Sequence, residues 1–146
     1  MDDVKVICMK DPNYNLTIRN GKVVFARAGS CECQHWRKDE KYAQGKVDTH
    51  GRKAFALVNK ATGQALKHSA EGKPVELANI NSCNLDQALL WTDGSSWGNG
   101  YSPAWMIKDV QLNLDAKDGI VNDCSTVQMW KWNGGAPNQL WKIVPY

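Results

Sequence analysis

At 146 residues the chain fits a single domain with a core of its own. Hydrophobic residues make up 42% and charged residues 23%, which excludes wholesale disorder. The net charge of +3 is spread over single lysines such as Lys5, Lys10, Lys22 and Lys38. This is a solvated surface, not the clustered stripe that a nucleic-acid backbone requires, and no nucleic-acid partner is expected.

The first residues, MDDVKVICMK, have neither the basic start nor the apolar run of a signal peptide. No later stretch approaches the roughly 18 consecutive apolar residues that span a bilayer, so a cytosolic chain without membrane insertion is expected. The sequon Asn15-Leu16-Thr17 matters only in a secreted protein. Five cysteines (Cys8, Cys31, Cys33, Cys83, Cys124) cannot all pair within one chain. Their spacing contains no C-x-x-C, and the one C-x-C lacks a second ligand pair, so no metal or cofactor is expected. Reduced thiols are the expected state, with an intermolecular disulfide as the alternative under oxidising conditions.

Short alternating runs follow one another along the chain: Phe55-Ala56-Leu57-Val58, Val75-Glu76-Leu77, Gln111-Leu112-Asn113-Leu114 and Val127-Gln128-Met129. Turn formers punctuate them at Asn20-Gly21, Thr62-Gly63, Glu71-Gly72, Asp118-Gly119 and Gly134-Gly135. Short strands at regular spacing predict an all-β barrel or sandwich. A longer period selects between them. Trp36, Trp91 and Trp141 close the triplets Gln34-His35-Trp36, Leu89-Leu90-Trp91 and Gln139-Leu140-Trp141, at intervals of 55 and 50 residues. Before each triplet stand two apolar strands in the same order. Three copies of about fifty residues with four short strands each predict a β-trefoil, with repeats over 4–37, 54–92 and 105–146. One tryptophan per repeat then fills a shared core.

The repeated Q-x-W resembles the ricin-B-type lectins. The wording DPNYNLTIRNGKVV, FALVNKATGQALKH and NQLWKIVPY is similar to the Euonymus-lectin family of plants, along essentially the whole chain. The resemblance implies a non-enzymatic carbohydrate-binding protein of nucleus and cytoplasm. It implies glycan and glycoprotein partners, with mannose-rich N-glycans or galactose-terminated epitopes of the blood-group B type as ligands.

A sugar presents hydroxyls and one apolar C–H face, so a site needs a carboxylate, amides and an aromatic ring. Alternation in the third repeat supplies these. With Leu112, Leu114, Val127 and Met129 pointing inward, Asn113, Asp115, Gln128, Trp130 and Trp132 point outward. Lys131 falls on the core-facing side, which predicts that the strand leaves the barrel there. Trp130 is expected to contact ligand, whereas Trp132 serves equally well as a brace for the Gly134-Gly135 loop. The resemblance assigns sugar contacts to Asp115, Gln128, Trp130, Asn138 and Gln139. The loop Asn133-Gly134-Gly135-Ala136-Pro137 departs from the family pattern in being short and uncharged.

The other repeats act as internal controls. Ala26 and Ala78 stand where the third has Trp130, and neither repeat offers both carboxylate and ring. One site per chain is therefore expected. A single shallow site near 1 mM is worth only about −4 kcal/mol, so useful avidity predicts a homodimer. The linkers 38–53 and 92–104 lie outside the strands. In the second and just beyond it, Trp97, Tyr101 and Trp105 are candidates for an interface or an accessory contact.

Catalysis is not expected. No spacing joins His35, His50 or His68 to a nucleophile elbow or a metal motif. Asp115 and Asp118 are three residues apart on one turn, which does not flank a glycosidic bond. The remaining rival is a trefoil used for protein contacts, which would need no convergent Asp/Trp/Asn/Gln set.

Overall fold

The computed structural model describes residues 3–81, 83–94, 96–107 and 111–146. Residues 1–2 of the amino-terminal stretch, residues 82 and 95, and residues 108–110 of the expected third repeat lie outside the described residues.

Among the described residues twelve strands follow in chain order. The first four are β1 (Val4–Cys8), β2 (Asp11–Arg19), β3 (Lys22–Arg27) and β4 (Trp36–Asp39). Next come β5 (Ala56–Asn59), β6 (Gln64–Lys67), β7 (Glu76–Asn79) and β8 (Trp91–Asp93). The last are β9 (Ala104–Met106), β10 (Leu112–Ala116), β11 (Val127–Lys131) and β12 (Trp141–Pro145). Each set of four runs the same course, and the fold is a β-trefoil.

Six of the strands close a barrel. β1 pairs with β12 from Val4↔Pro145 to Cys8↔Trp141 and touches β4 at Val4↔Trp36. β4 pairs with β5, and β8 with β9. The bridges Phe55↔Trp91 and Ser102↔Trp141 complete the ring. Closure removes the free edges that would otherwise invite pairing with another chain. The other six strands form three hairpins, β2–β3, β6–β7 and β10–β11, that cap one end. The first hairpin turns through Asn20 and Gly21, both at positive φ (53° and 72°), the conformation a two-residue turn needs to match strand twist. Bridges Val24↔Thr126 and Pro74↔Gln128 tie the third hairpin to the other two.

The three triplet tryptophans are core. Trp36 and Trp91 are fully buried, and Trp141 is 2% exposed. Each indole N–H donates to the carbonyl of the leucine in its own repeat's first hairpin strand. These are Trp36 to Leu16 at 3.0 Å, Trp91 to Leu66 at 3.2 Å and Trp141 to Leu114 at 2.9 Å. A buried indole N–H needs such a partner, and the threefold recurrence gives every repeat the same internal bracket. Opposite those leucines stand Phe25, Leu77 and Met129. Phe25 also stacks on Trp141 at 5.7 Å, which links the first repeat to the third.

One expectation is corrected. Cys31 and Cys33 are joined by a disulfide, so these two are not reduced thiols, while Cys8, Cys83 and Cys124 are free. Burial pushes the Cys8 thiol up to about 12, which keeps it protonated and inert. His68 is buried with its ring edge-on to Trp91 at 4.6 Å. The Asn15 sequon is closed in the folded chain, since Asn15 is 1% exposed and its amide donates to Gln34 Oε1 at 2.8 Å. No helix among the described residues is long and apolar enough to cross a membrane.

Candidate functional site

The β10–β11 hairpin pairs Asn113 with Trp130, Leu114 with Met129 and Asp115 with Gln128. Leu114 and Met129 face the core, which turns the flanking pairs to the opposite side of the hairpin. β11 ends at Lys131, which is exposed.

Facing away from the core does not mean facing water. Asn113 is fully buried, because Trp130 lies across from it on one side and Trp105 on the other. Asp115 is only 2% exposed. Three amides surround its carboxylate. Gln128 Nε2 donates to Oδ1 at 3.1 Å, while Gln139 Nε2 and Asn138 Nδ2 donate to Oδ2 at 2.8 and 3.3 Å. A carboxylate offers about four acceptor directions, so roughly one is left for an incoming hydroxyl. Burial pushes the Asp115 carboxyl above its ordinary value, and the nearby Asp118 adds to that; the Gln139 and Gln128 bonds oppose the shift.

Gln139 lies beneath the site. It is fully buried, donates to Asp115 and to the Lys131 carbonyl at 2.9 Å, and accepts from Asn133 N–H at 3.0 Å. Gln139, expected to reach toward a ligand, has its side chain occupied in the fold by Asp115 and by the start of the 133–137 loop. Asn138 is only partly covered, and its Oδ1 accepts from Asn133 Nδ2 at 3.2 Å.

Above this network is an open cleft of about 440 Å³ lined by Asp115, Gln128, Trp130 and Asn138. Trp130 is 40% exposed and forms its apolar wall. Trp132 is not part of it. It packs against the cluster of Ile7, Tyr101 and Leu140 and meets the Trp97 ring at 5.5 Å. The reason is the exit of the strand after Lys131, which carries Trp132 to the far side of the loop.

The cleft also contains residues that the sequence did not assign to it. Lys117, Asp118 and Gly119 form a turn at its rim, with Asp118 in the left-handed region at φ 57°. Their Asp-Gly signal directly after an outward Asp could have marked them. Gly72 comes from the second repeat, and a Cβ on it would lie 3.2 Å from Trp130 Cζ3. Its own N–H donates to the Met129 carbonyl at 2.8 Å beside the Pro74↔Gln128 bridge, and nothing local in the sequence signals that contact.

The hairpin registers align the repeats without ambiguity. Ala26 and Ala78 occupy the place of Trp130, and Thr17 and Lys67 that of Asp115. Among the described residues no cluster of three or more His, Cys, Asp or Glu is placed to hold a metal.

No family model matches the chain. Among curated proteins, it is 45% identical over 98% of its length to the ricin B-like lectin R40G3 of Oryza sativa subsp. japonica, covering 73% of that protein. The chain belongs to the ricin B-like lectins. It is also 49% identical over 98% of its length to the ricin B-like lectin EULS3 of Arabidopsis thaliana, of which it spans only 47%. Solved structures share the fold at low identity. The designed threefold-symmetric ThreeFoil superposes with a TM-score of 0.77 at 19% identity, over 99% of each chain. A ricin B-like lectin of Macrolepiota procera in complex with lactose superposes with a TM-score of 0.74 at 18% identity, over 99% of this chain and 95% of that one. The β-trefoil fold is thus shared with these structures, whereas the acid, amide and indole set described above belongs to one repeat of this chain.

Proposed function

We propose that the chain is a lectin that binds glycans without catalysis and holds one terminal sugar in the third-repeat cleft. The observation that carries this reading is the Asp115 carboxylate, held by three amides with an acceptor direction left over, beside an exposed Trp130 ring. Hydroxyls of the sugar donate to Asp115 and exchange bonds with Asn138 and Gln128, and its C–H face lies on Trp130. Gln139 stays below and keeps the acceptor aimed.

The ligands we propose are galactose-terminated epitopes such as the blood-group B type, mannose-rich N-glycans, or both. The lactose complex of the Macrolepiota lectin supports the galactose side. With one cleft in each chain, avidity comes from a homodimer that presents two. A nuclear and cytoplasmic location agrees with the closed Asn15 sequon.

A glycan array on the wild type and on Trp130→Ala tests the proposal. The wild type gives signal on one or both glycan classes and the variant loses it. Undiminished signal for the variant would place the sugar elsewhere.

A further inference from the structure

Trp97, Tyr101 and Trp105 lie in and beside the linker between the second and third repeats, and only one of them faces water. Tyr101 is 9% exposed, packed with Ile7 and Leu140. Trp105 is paired into the sheet opposite Asn113 and Thr92. Trp97 is 50% exposed.

Trp97 is nonetheless held in place. Its backbone N–H donates to the Tyr101 carbonyl at 2.8 Å, which closes the turn through Gly98, Asn99 and Gly100. Its ring meets Trp132 at 5.5 Å and 61°. On the same side Gly135 approaches so closely that a Cβ there would stand 2.6 Å from Trp97 Cζ3. One side of the indole is therefore fixed against the 133–137 loop and the remainder is open. A fixed, exposed indole offers a flat apolar face on which the C–H face of a sugar can stack.

The loop connects this ring to the candidate cleft. Gly135 N–H donates to Asn133 Oδ1 at 3.3 Å, and Asn133 Nδ2 donates to Asn138 Oδ1 at 3.2 Å. Asn133 and Asn138 both line the cleft beside Trp130. The two exposed indoles thus flank a single short turn, and that turn carries amides able to hydrogen-bond along its length.

We propose that Trp97 is a second aromatic subsite, which stacks on a further sugar residue of the oligosaccharide whose terminal sugar sits against Trp130. This rests on the lectin reading above and adds to it a preference for oligosaccharides over single sugars. An aromatic contact of this kind changes affinity by up to about tenfold.

Titration calorimetry on the wild type, Trp97→Ala and Trp130→Ala decides the matter. The probes are methyl β-galactoside and methyl α-mannoside as single sugars, with the blood-group B tetrasaccharide and an oligomannose N-glycan as longer ligands. Trp97→Ala should weaken the longer ligand by about tenfold and leave the single sugar within about twofold. Equal affinity of wild type and Trp97→Ala for the longer ligand overturns the subsite. Equal losses for both ligand lengths also overturn it, since Trp97 then only holds the loop. A wild type that binds none of the four probes defeats the lectin reading itself, a result seen before any variant is compared. If Trp97→Ala fails to fold, the indole N–H resonance of Trp97 in the wild type gives the same answer. It should shift with the longer ligand and stay put with the single sugar, and an unmoved resonance in both overturns the proposal.

Discussion

Gln139 Nε2 lies 2.8 Å from Asp115 Oδ2, and Gln139 is wholly out of contact with solvent. Its counterpart two residues before the first-repeat tryptophan, Gln34, is bound in a parallel way. Gln34 accepts from Asn15 and Gly29 and donates to the Arg27 carbonyl at 2.9 Å. The same glutamine holds a loop in both repeats, but only in the third does it hold a carboxylate.

This contrast yields the first prediction. Gln139→Ala leaves several buried polar groups without partners and should lower stability by about 1–3 kcal/mol. Gln34→Ala should cost a similar amount. Sugar affinity should fall in Gln139→Ala and stay at the wild-type value in Gln34→Ala. Thermal melting and calorimetry on the two variants give the comparison, and equal affinities in both would remove Gln139 from the site.

A second prediction concerns pH. The Asp115 carboxyl sits above its ordinary value because it is buried. Protonation removes its charge and turns one acceptor oxygen into a donor, so sugar binding should weaken on acidification sooner than for an ordinary aspartate. Stability should move the other way. The folded state holds the proton more tightly than the unfolded one, so this group favours folding most below the ordinary aspartate value. Its contribution is lost as pH rises through the raised one. Carbon-detected titration of Asp115 together with binding measured from about pH 4 to pH 7 tests both signs.

Gly72 gives the third prediction. It has φ +78°, and a Cβ there meets Trp130 Cζ3 at 3.2 Å. Gly63 has a similar φ of +72° with open space around it. Both Gly→Ala variants should lose about 1–2 kcal/mol from the left-handed backbone. Only Gly72→Ala should also shift Trp130 and weaken sugar binding, a result readable from its indole resonance and from calorimetry.

Fourth, the three core indoles should behave as one class. Trp36→Phe, Trp91→Phe and Trp141→Phe each strand a buried leucine carbonyl, at a cost of about 1–3 kcal/mol apiece. Denaturant unfolding of the three variants checks this. A much smaller loss in any one would show that its N–H bond is dispensable.

The trefoil was legible because its signal is periodic: triplet tryptophans at fixed spacing and alternating strands state the core directly. Alternation also separated Leu114 and Met129 from Asp115 and Trp130. What it could not supply was depth. Asp115 and Asn113 lie on the side of the hairpin away from the core, yet neighbouring amides and rings from elsewhere in the chain cover them. Gln139 entered the expected set through the family resemblance, and the turn at 137–139 buries its side chain beneath Asp115. Trp132 lies past the end of the strand and packs against Tyr101 and Trp97 instead of lining the cleft. The Gly72 wall depends on how two repeats meet in space, and residue spacing alone did not set the redox state of the local Cys31–Cys33 pair.

The indole brackets of Trp36, Trp91 and Trp141 are the same in all three repeats, whatever the hairpin side chains above them. A frame duplicated in this way separates folding from recognition. Lys67 and Ala78 already face each other's strand in the register that Asp115 and Trp130 use. Under the lectin reading, valency is then open to change by point substitution, and a lineage can gain or discard binding sites without reopening the problem of how the chain folds.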